Sequence, residues 1–197
     1  MIKRIKGMKV QQKLKYCFTL VVIIASISGI LGILALILVN SQYSKALVSN
    51  GFTQGEIGIF STYLNKEPSL IREMVLIHDM DELQLLVEEM DQISVQTNEA
   101  YMTVREHCTA EKEKEFIAII DEKLPIYREV FAQVEELAVQ NKDEEALELL
   151  VTSGKPILKE LTNAVESLID LNVSMGNSAQ KYMTTLVIIM LVIMLVV

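Results

Sequence analysis

The 197-residue chain holds 26 acidic and 18 basic residues, a formal net charge of −8, with 51% hydrophobic residues, no Trp and two Cys. All 26 acidic residues fall between Glu56 and Asp170, so residues 40–182 carry 12 basic groups against 26 acidic ones, a net charge of −14. Such a segment lacks the clustered Lys and Arg that nucleic acid demands, and Cys108 as its single cysteine rules out a disulfide within it.

The chain begins with a basic stretch, residues 1–17, that includes Lys3, Arg4, Lys6, Lys9, Lys13 and Lys15. Residues 18–39, FTLVVIIASISGILGILALILV, follow without a charge. At about 1.5 Å per residue this run spans roughly 33 Å, enough for the roughly 30 Å hydrocarbon core of a bilayer. It reads as a transmembrane helix, with the basic flank in the cytoplasm and residue 40 onward outside. A cleaved signal peptide is the alternative, but its apolar region usually has about 7–15 residues and ends in a small-residue cleavage site, which fits poorly. Ala25, Ser28, Gly29 and Gly32 share one face of the helix, at a spacing that permits a close partner helix.

The outer segment, residues 40–182, is one domain in size and reads as four helices. The first is expected over 40–78 through Leu47, Gln54, Ile57, Ser61, Leu64, Ile71, Val75 and His78, ending at Asp79 and Met80. Pro68 is expected to bend it. Gly51, Gly55 and Gly58 lower its propensity by about 1 kcal/mol each, or permit close approach of an identical helix. The second, over 81–108, places Leu83, Leu86, Met90, Ile93, Thr97, Ala100, Val104 and His107 at alternating spacings of three and four, with Asp81 as its expected N-cap. The third runs from just after Thr109 to about Gln140, with the stripe Phe116, Ile120, Leu124, Tyr127, Phe131, Val134 and Ala138 and a Pro125 that predicts a kink or a lost backbone bond.

After a turn at Asn141 and Lys142, Asp143 is expected to cap a helix rich in Ala and Leu. Thr152, Ser153, Gly154, Lys155 and Pro156 then interrupt the pattern, as a kink or a short break. Beyond them Leu158, Leu161, Val165, Leu168, Asn172, Met175, Ala179 and Tyr182 form a seam on which Asn172 is expected to fix register against a partner helix. No turn signal separates Tyr182 from residues 183–197, MTTLVIIMLVIMLVV. Fifteen helical residues cover only about 22 Å. The expectation is a second membrane helix cut in mid-span, with a cytoplasmic output region beyond it, the alternative being a partly inserted anchor. The fold class predicted is all-α: an up-down-up-down antiparallel four-helix bundle continuous with two transmembrane helices.

Catalytic and metal readings find little support. The two histidines, His78 and His107, lie near opposite ends of the second helix, about 43 Å apart along its axis, and neither completes a Glu-x-x-His pair, so no metal is implied. No phosphate-cradling Gly loop, Cys-x-x-Cys or nucleophile elbow occurs, and no cofactor is implied.

The order of basic start, membrane span, about 140 residues of antiparallel helices and second apolar stretch resembles the N-terminal half of a bacterial methyl-accepting chemotaxis receptor. QGEI at 54–57, SLIRE at 69–73 and DEEALELL at 143–150 resemble the four-helix-bundle sensor domain of that family. The resemblance implies a homodimer in the cell membrane, with residues 40–182 extracytoplasmic. It also implies a small-molecule ligand such as an amino acid or organic acid, and a small displacement of the last helix that reaches cytoplasmic signalling partners. In that family, arginines of the first outer helix and a hydroxyl near the start of the last helix hold a ligand carboxylate. Carried over by position, Arg72 is the candidate cation, 33 residues past the first span, and Thr152 and Ser153 are the candidate hydroxyls, 31 and 30 residues before the second. A guanidinium offers a planar donor fork that suits a carboxylate. Sensor histidine kinases and cyclic-dinucleotide enzymes use similar outer domains, and a membrane-anchored interaction protein without signalling is the further alternative.

Overall fold

The computed structural model describes residues 9–196, which are helical almost throughout, with no strand among them. The helices are α1 (Val10–Ala46), α2 (Thr53–Leu76), α3 (Met80–His107), α4 (Glu111–Val139), α5 (Asp143–Leu149) and α6 (Lys155–Val196), and π-helical turns occupy Leu47–Phe52 and Leu150–Gly154. Lys3, Arg4 and Lys6, on which the expected membrane orientation rests in part, lie outside the described residues. Two compact units emerge: one from Leu47 to Asn177, the other made of the chain up to Ala46 and from Ser178 onward.

In the second of these units, α1 contains the stretch Val10–Ser44, with mean hydropathy 2.9. Among the described residues it is the one helix long and apolar enough to cross a membrane. Two such helices were expected. The apolar end of α6 falls short because residues 183–196 extend only about 21 Å against a roughly 30 Å core. Ser28, Gly29 and Gly32 of the small-residue face line a largely apolar cleft of about 570 Å³ opposite Val187, Met190 and Leu191. A Cβ built on Gly29 would meet nothing within 4 Å, so no helix of the same chain closes on this face there.

The bundle unit shows its topology in its side-chain contacts. Lys66 of α2 bonds Glu89 of α3 at 2.8 Å, while Glu56 bonds His107 at 2.6 Å, so the two helices run in opposite senses. Arg128 of α4 reaches the Ser94 carbonyl of α3, whereas Tyr101 reaches Asp121, again antiparallel. Lys123 and Glu160, then Glu113 and Asn172, set α4 against α6 in the same way. Short turns impose this arrangement, because three residues between successive helices leave the chain no choice but to reverse.

Each turn has its own chemistry. Asp79 caps α3, its Oδ1 accepting from the backbone N–H groups of Asp81 at 2.9 Å and Glu82 at 3.1 Å. Asp81, the expected cap, instead lies in the first turn, because the helix opens at Met80. Glu113 reaches back to the Ala110 N–H at 2.8 Å, one half of a capping box whose other half Ala cannot supply. After α4, Asn141 adopts φ 54°. The Asn141 N–H bonds Ala138 O and the Lys142 N–H bonds Leu137 O, a Schellman closure in which Asn takes the place usual for Gly.

Helices α2 and α4 continue past Pro68 and Pro125, and each proline removes the backbone bond its missing N–H would have made. The interruption at residues 152–156 is a widening and not a break. Leu149 and Lys155 keep right-handed helical angles, and the Lys155 N–H bonds Leu150 O five residues back.

The core joins Ile57, Phe60, Leu64 and Ile71 of α2 with Leu83, Ile93 and Val104 of α3, Ile120, Tyr127, Phe131 and Val134 of α4, and Leu161, Val165 and Leu168 of α6. Each large side chain so buried stabilises the fold by about 1.5–3 kcal/mol. Two neighbours exchange places with the expected seam: Tyr101 is buried more fully than Ala100, and Ile117 more fully than Phe116. Thr53, Glu67, Thr97, Glu113 and Asn172 are polar residues buried in the same unit. Asn172 lies on the seam as expected, and the helix it is registered against is α4 of its own chain.

Candidate functional site

The end of the bundle formed by the α2–α3 and α4–α5 turns carries two adjoining grooves, and Arg72 lines both. The first, about 360 Å³, lies between the end of α2 and α5, with Val75, Leu76, His78, Asp143, Glu144, Leu147 and Leu150 around it. The second, about 200 Å³, lies between α2 and the start of α6, with Asn65, Pro68, Phe131, Leu150, Gly154, Lys155 and Leu158. Leu150 is common to both, so the π-helical turn forms the wall between α5 and α6.

Why the chain folds this way is visible at Gly154. A Cβ there would stand 3.2 Å from Leu150 Cδ1 and 3.3 Å from Phe131 Cε2, so glycine lets the widened turn press against α4. Apolar side chains make the floor of both grooves, and the charges sit around the rims.

Arg72 is exposed and folded along its own helix: Nε donates to the Pro68 carbonyl at 3.0 Å and Nη2 to Ser69 Oγ at 3.3 Å. Among the described residues it makes no ion pair within 4 Å, with Glu73 or any other carboxylate. Across the first groove, His78 Nδ1 stands 3.6 Å from Asp143 Oδ2, which ties the α2–α3 turn to the start of α5. The first groove thus has cationic Arg72 on one side and the Asp143 and Glu144 carboxylates on the other; the second has Arg72 and Lys155.

Thr152 and Ser153 lie in the π-helical turn, but the residues of that turn that line the grooves are Leu150 and Gly154. Thr152 is exposed, and its hydroxyl donates to the Glu148 carbonyl at 2.7 Å. His78, Asp143 and Lys155 belong to the groove rims without having been singled out as site residues. The sequence signal for them is proximity to the two turns that close this end of the bundle.

At the other end of the bundle Cys108 is buried, and its thiol is pushed up to about 12 by burial, with the Glu113 and Glu56 carboxylates adding to the effect. Such a thiol is held as a neutral packing group.

The family described as a four helix bundle sensory module for signal transduction matches residues 7–187, nearly the whole chain. No curated protein matches it.

Proposed function

Because the chain belongs to the family of four-helix-bundle sensory modules for signal transduction, we propose that it is the sensor and transmembrane part of a membrane receptor of the chemotaxis type. The family is a sensory one and not a catalytic one, which accords with the absence of nucleophile and cofactor motifs in the sequence. In this reading α1 anchors the protein in the cell membrane, residues 40–182 lie outside, and α6 carries the signal inward to an output domain. Two chains form the receptor, and the open faces around Gly55 and Gly58 on α2, where a Cβ would meet nothing within 4 Å, favour a second copy of α2 against them.

The observation that carries the ligand reading is Arg72, which lines both grooves beside apolar floors. A guanidinium next to an apolar pocket suits a small molecule with a carboxylate and a short apolar body, such as an amino acid or organic acid. Binding favours one packing of α2 against α5 and α6, and the equilibrium shifts by the difference in affinity for the two packings.

A chimera tests this directly. The chain is joined at its C-terminus to the cytoplasmic half of a chemotaxis receptor, in cells without receptors of their own, and swimming bias is read against amino acids and organic acids. A response that Arg72→Ala removes supports the reading. A chimera that sets swimming bias but answers none of these compounds would overturn direct small-ligand sensing.

A further inference from the structure

The two grooves that share Arg72 differ in charge. Asp143 and Glu144 line the first, whereas no carboxylate lines the second. The charged residues of the second groove are Arg72 of α2 and Lys155, the first residue of α6, one from each of the two helices that bound it. In a segment with 26 acidic residues against 12 basic ones, a groove lined by two cations and no anion runs against the composition.

Neither cation is held in an ion pair. Lys66, Arg105 and Lys123 each pair with a carboxylate of a neighbouring helix, at 2.8, 3.2 and 2.9 Å, and so tie the bundle together. Among the described residues Arg72 and Lys155 have no such partner within 4 Å, and both are exposed. The backbone of Lys155 is fixed by the π-helical turn, its N–H bonding Leu150 O, so the turn that separates the grooves also sets this lysine at the rim of the second.

Between the cations the lining is apolar, with Pro68, Phe131, Leu150 and Leu158. The volume, about 200 Å³, is below the roughly 300–1,000 Å³ of pockets that take drug-sized ligands, so the body that fits is a few methylenes long. Two cations lining one groove repel each other, and a dianion relieves that repulsion where a monoanion relieves half of it. An α-amino group would bring a third positive charge into a groove that has no carboxylate to receive it.

We propose that the second groove is selective for short aliphatic dicarboxylates without an amino group. Arg72 takes one carboxylate, Lys155 takes the other, and the methylenes lie on the apolar floor. Lys155 is the residue that sets this specificity. A dicarboxylate so bound ties α2 to the start of α6, which a monocarboxylate held by Arg72 alone does not. This specificity rests on the reading of Arg72 as a ligand contact, and adds to it the second charge, the second cation and the groove that takes them.

Calorimetric titration of the full chain in detergent, at low ionic strength to limit screening, compares succinate, glutarate, butyrate and aspartate. Succinate or glutarate is expected to bind about tenfold or more tightly than butyrate and aspartate, the worth of one further charge-assisted hydrogen bond. Lys155→Met is expected to bring the dicarboxylate down to the affinity of butyrate and to leave butyrate unchanged, and Lys155→Arg to keep the preference. Lys159→Met removes the same charge from α6 at a residue that does not line the groove, and is expected to change neither. Equal binding of succinate, glutarate and butyrate would overturn the dicarboxylate site. So would aspartate bound as tightly as succinate, or a loss in Lys159→Met equal to that in Lys155→Met. Acids that bind without preference for a second carboxylate, but are lost in Arg72→Ala, overturn this specificity and leave the Arg72 reading standing. A dicarboxylate weakened by Lys155→Met and untouched by Arg72→Ala overturns the Arg72 reading instead, and binding of none of these acids overturns both.

Discussion

Asn172 on α6 donates its Nδ2 to Glu113 Oε1 on α4 at 3.1 Å, inside the bundle, while the second oxygen of the same carboxylate takes the Ala110 N–H at 2.8 Å. One side chain therefore caps α4 and sets its register against α6. Glu113→Ala removes a cap and leaves the Asn172 amide without its partner on α4, at a cost of about 2–4 kcal/mol. Glu113→Gln keeps an acceptor for Asn172 and should cost less. Urea unfolding of the full chain in detergent measures both; equal losses would show that the interhelical bond contributes nothing.

Stability should depend on pH through Glu67. Its folded pKa is raised by burial, so the unfolded carboxyl ionises first. The stability it contributes is full below the ordinary carboxylate pKa of 4.5 and is lost as pH rises through the folded value. Glu67→Gln should therefore be more stable than the wild type at neutral and alkaline pH, with the two converging as pH falls. Melting curves across pH decide this, and parallel profiles would contradict it.

Gly154 is a packing requirement. Valine there would drive its Cβ into Phe131 and Leu150, already 3.3 and 3.2 Å from where it would stand. Overpacking of this kind costs about 1–3 kcal/mol. Gly154→Val is expected to lower the melting temperature and to distort the grooves that Leu150 separates, whereas Ser153→Ala beside it should change little.

Cys108 should resist modification. With its thiol at about 12 in place of 9.0, the thiolate fraction at mildly alkaline pH falls roughly thousandfold, and burial slows access further. Thiol titration of a Cys17→Ser chain should show one group that reacts only on unfolding. Rapid labelling of the native chain would mean that this end of the bundle opens readily.

Ligands of the Arg72 grooves should raise the melting temperature of the full chain in detergent, because they bind only the folded state. Loss of a charge-assisted hydrogen bond in Arg72→Ala is expected to weaken binding by about 1.5–3 kcal/mol, roughly 10- to 100-fold. An unchanged shift in that variant would place the ligand elsewhere.

Much of the fold was legible in the residues because helix periodicity and hydropathy are local properties. The stripe Ile120, Leu124, Tyr127, Phe131, Val134 and Ala138 is buried as its spacing requires, and the uncharged run at residues 18–39 lies within α1, among the described residues the one helix long and apolar enough to span a bilayer. Reading sites was harder. The stripe of the first outer helix appeared to pass from Leu64 to Ile71 without a member between them, and the position it skipped, three residues after Leu64 and four before Ile71, holds the buried Glu67. A carboxylate in that gap was the available signal.

What the sequence determined by itself was the helical class, the number of long helices, their order and the apolar face of each, since these follow from the identities of residues three and four apart. Only the tertiary structure decided which of two adjacent residues enters the core, as with Tyr101 over Ala100 and Ile117 over Phe116. It also decided that Asp79 and not Asp81 caps α3, and that Arg72 shares a groove with Leu150 across 78 residues of chain. Burial, and the pairing or orphaning of a polar atom, depend on the surface a partner helix presents, and that surface exists only once the helices have packed.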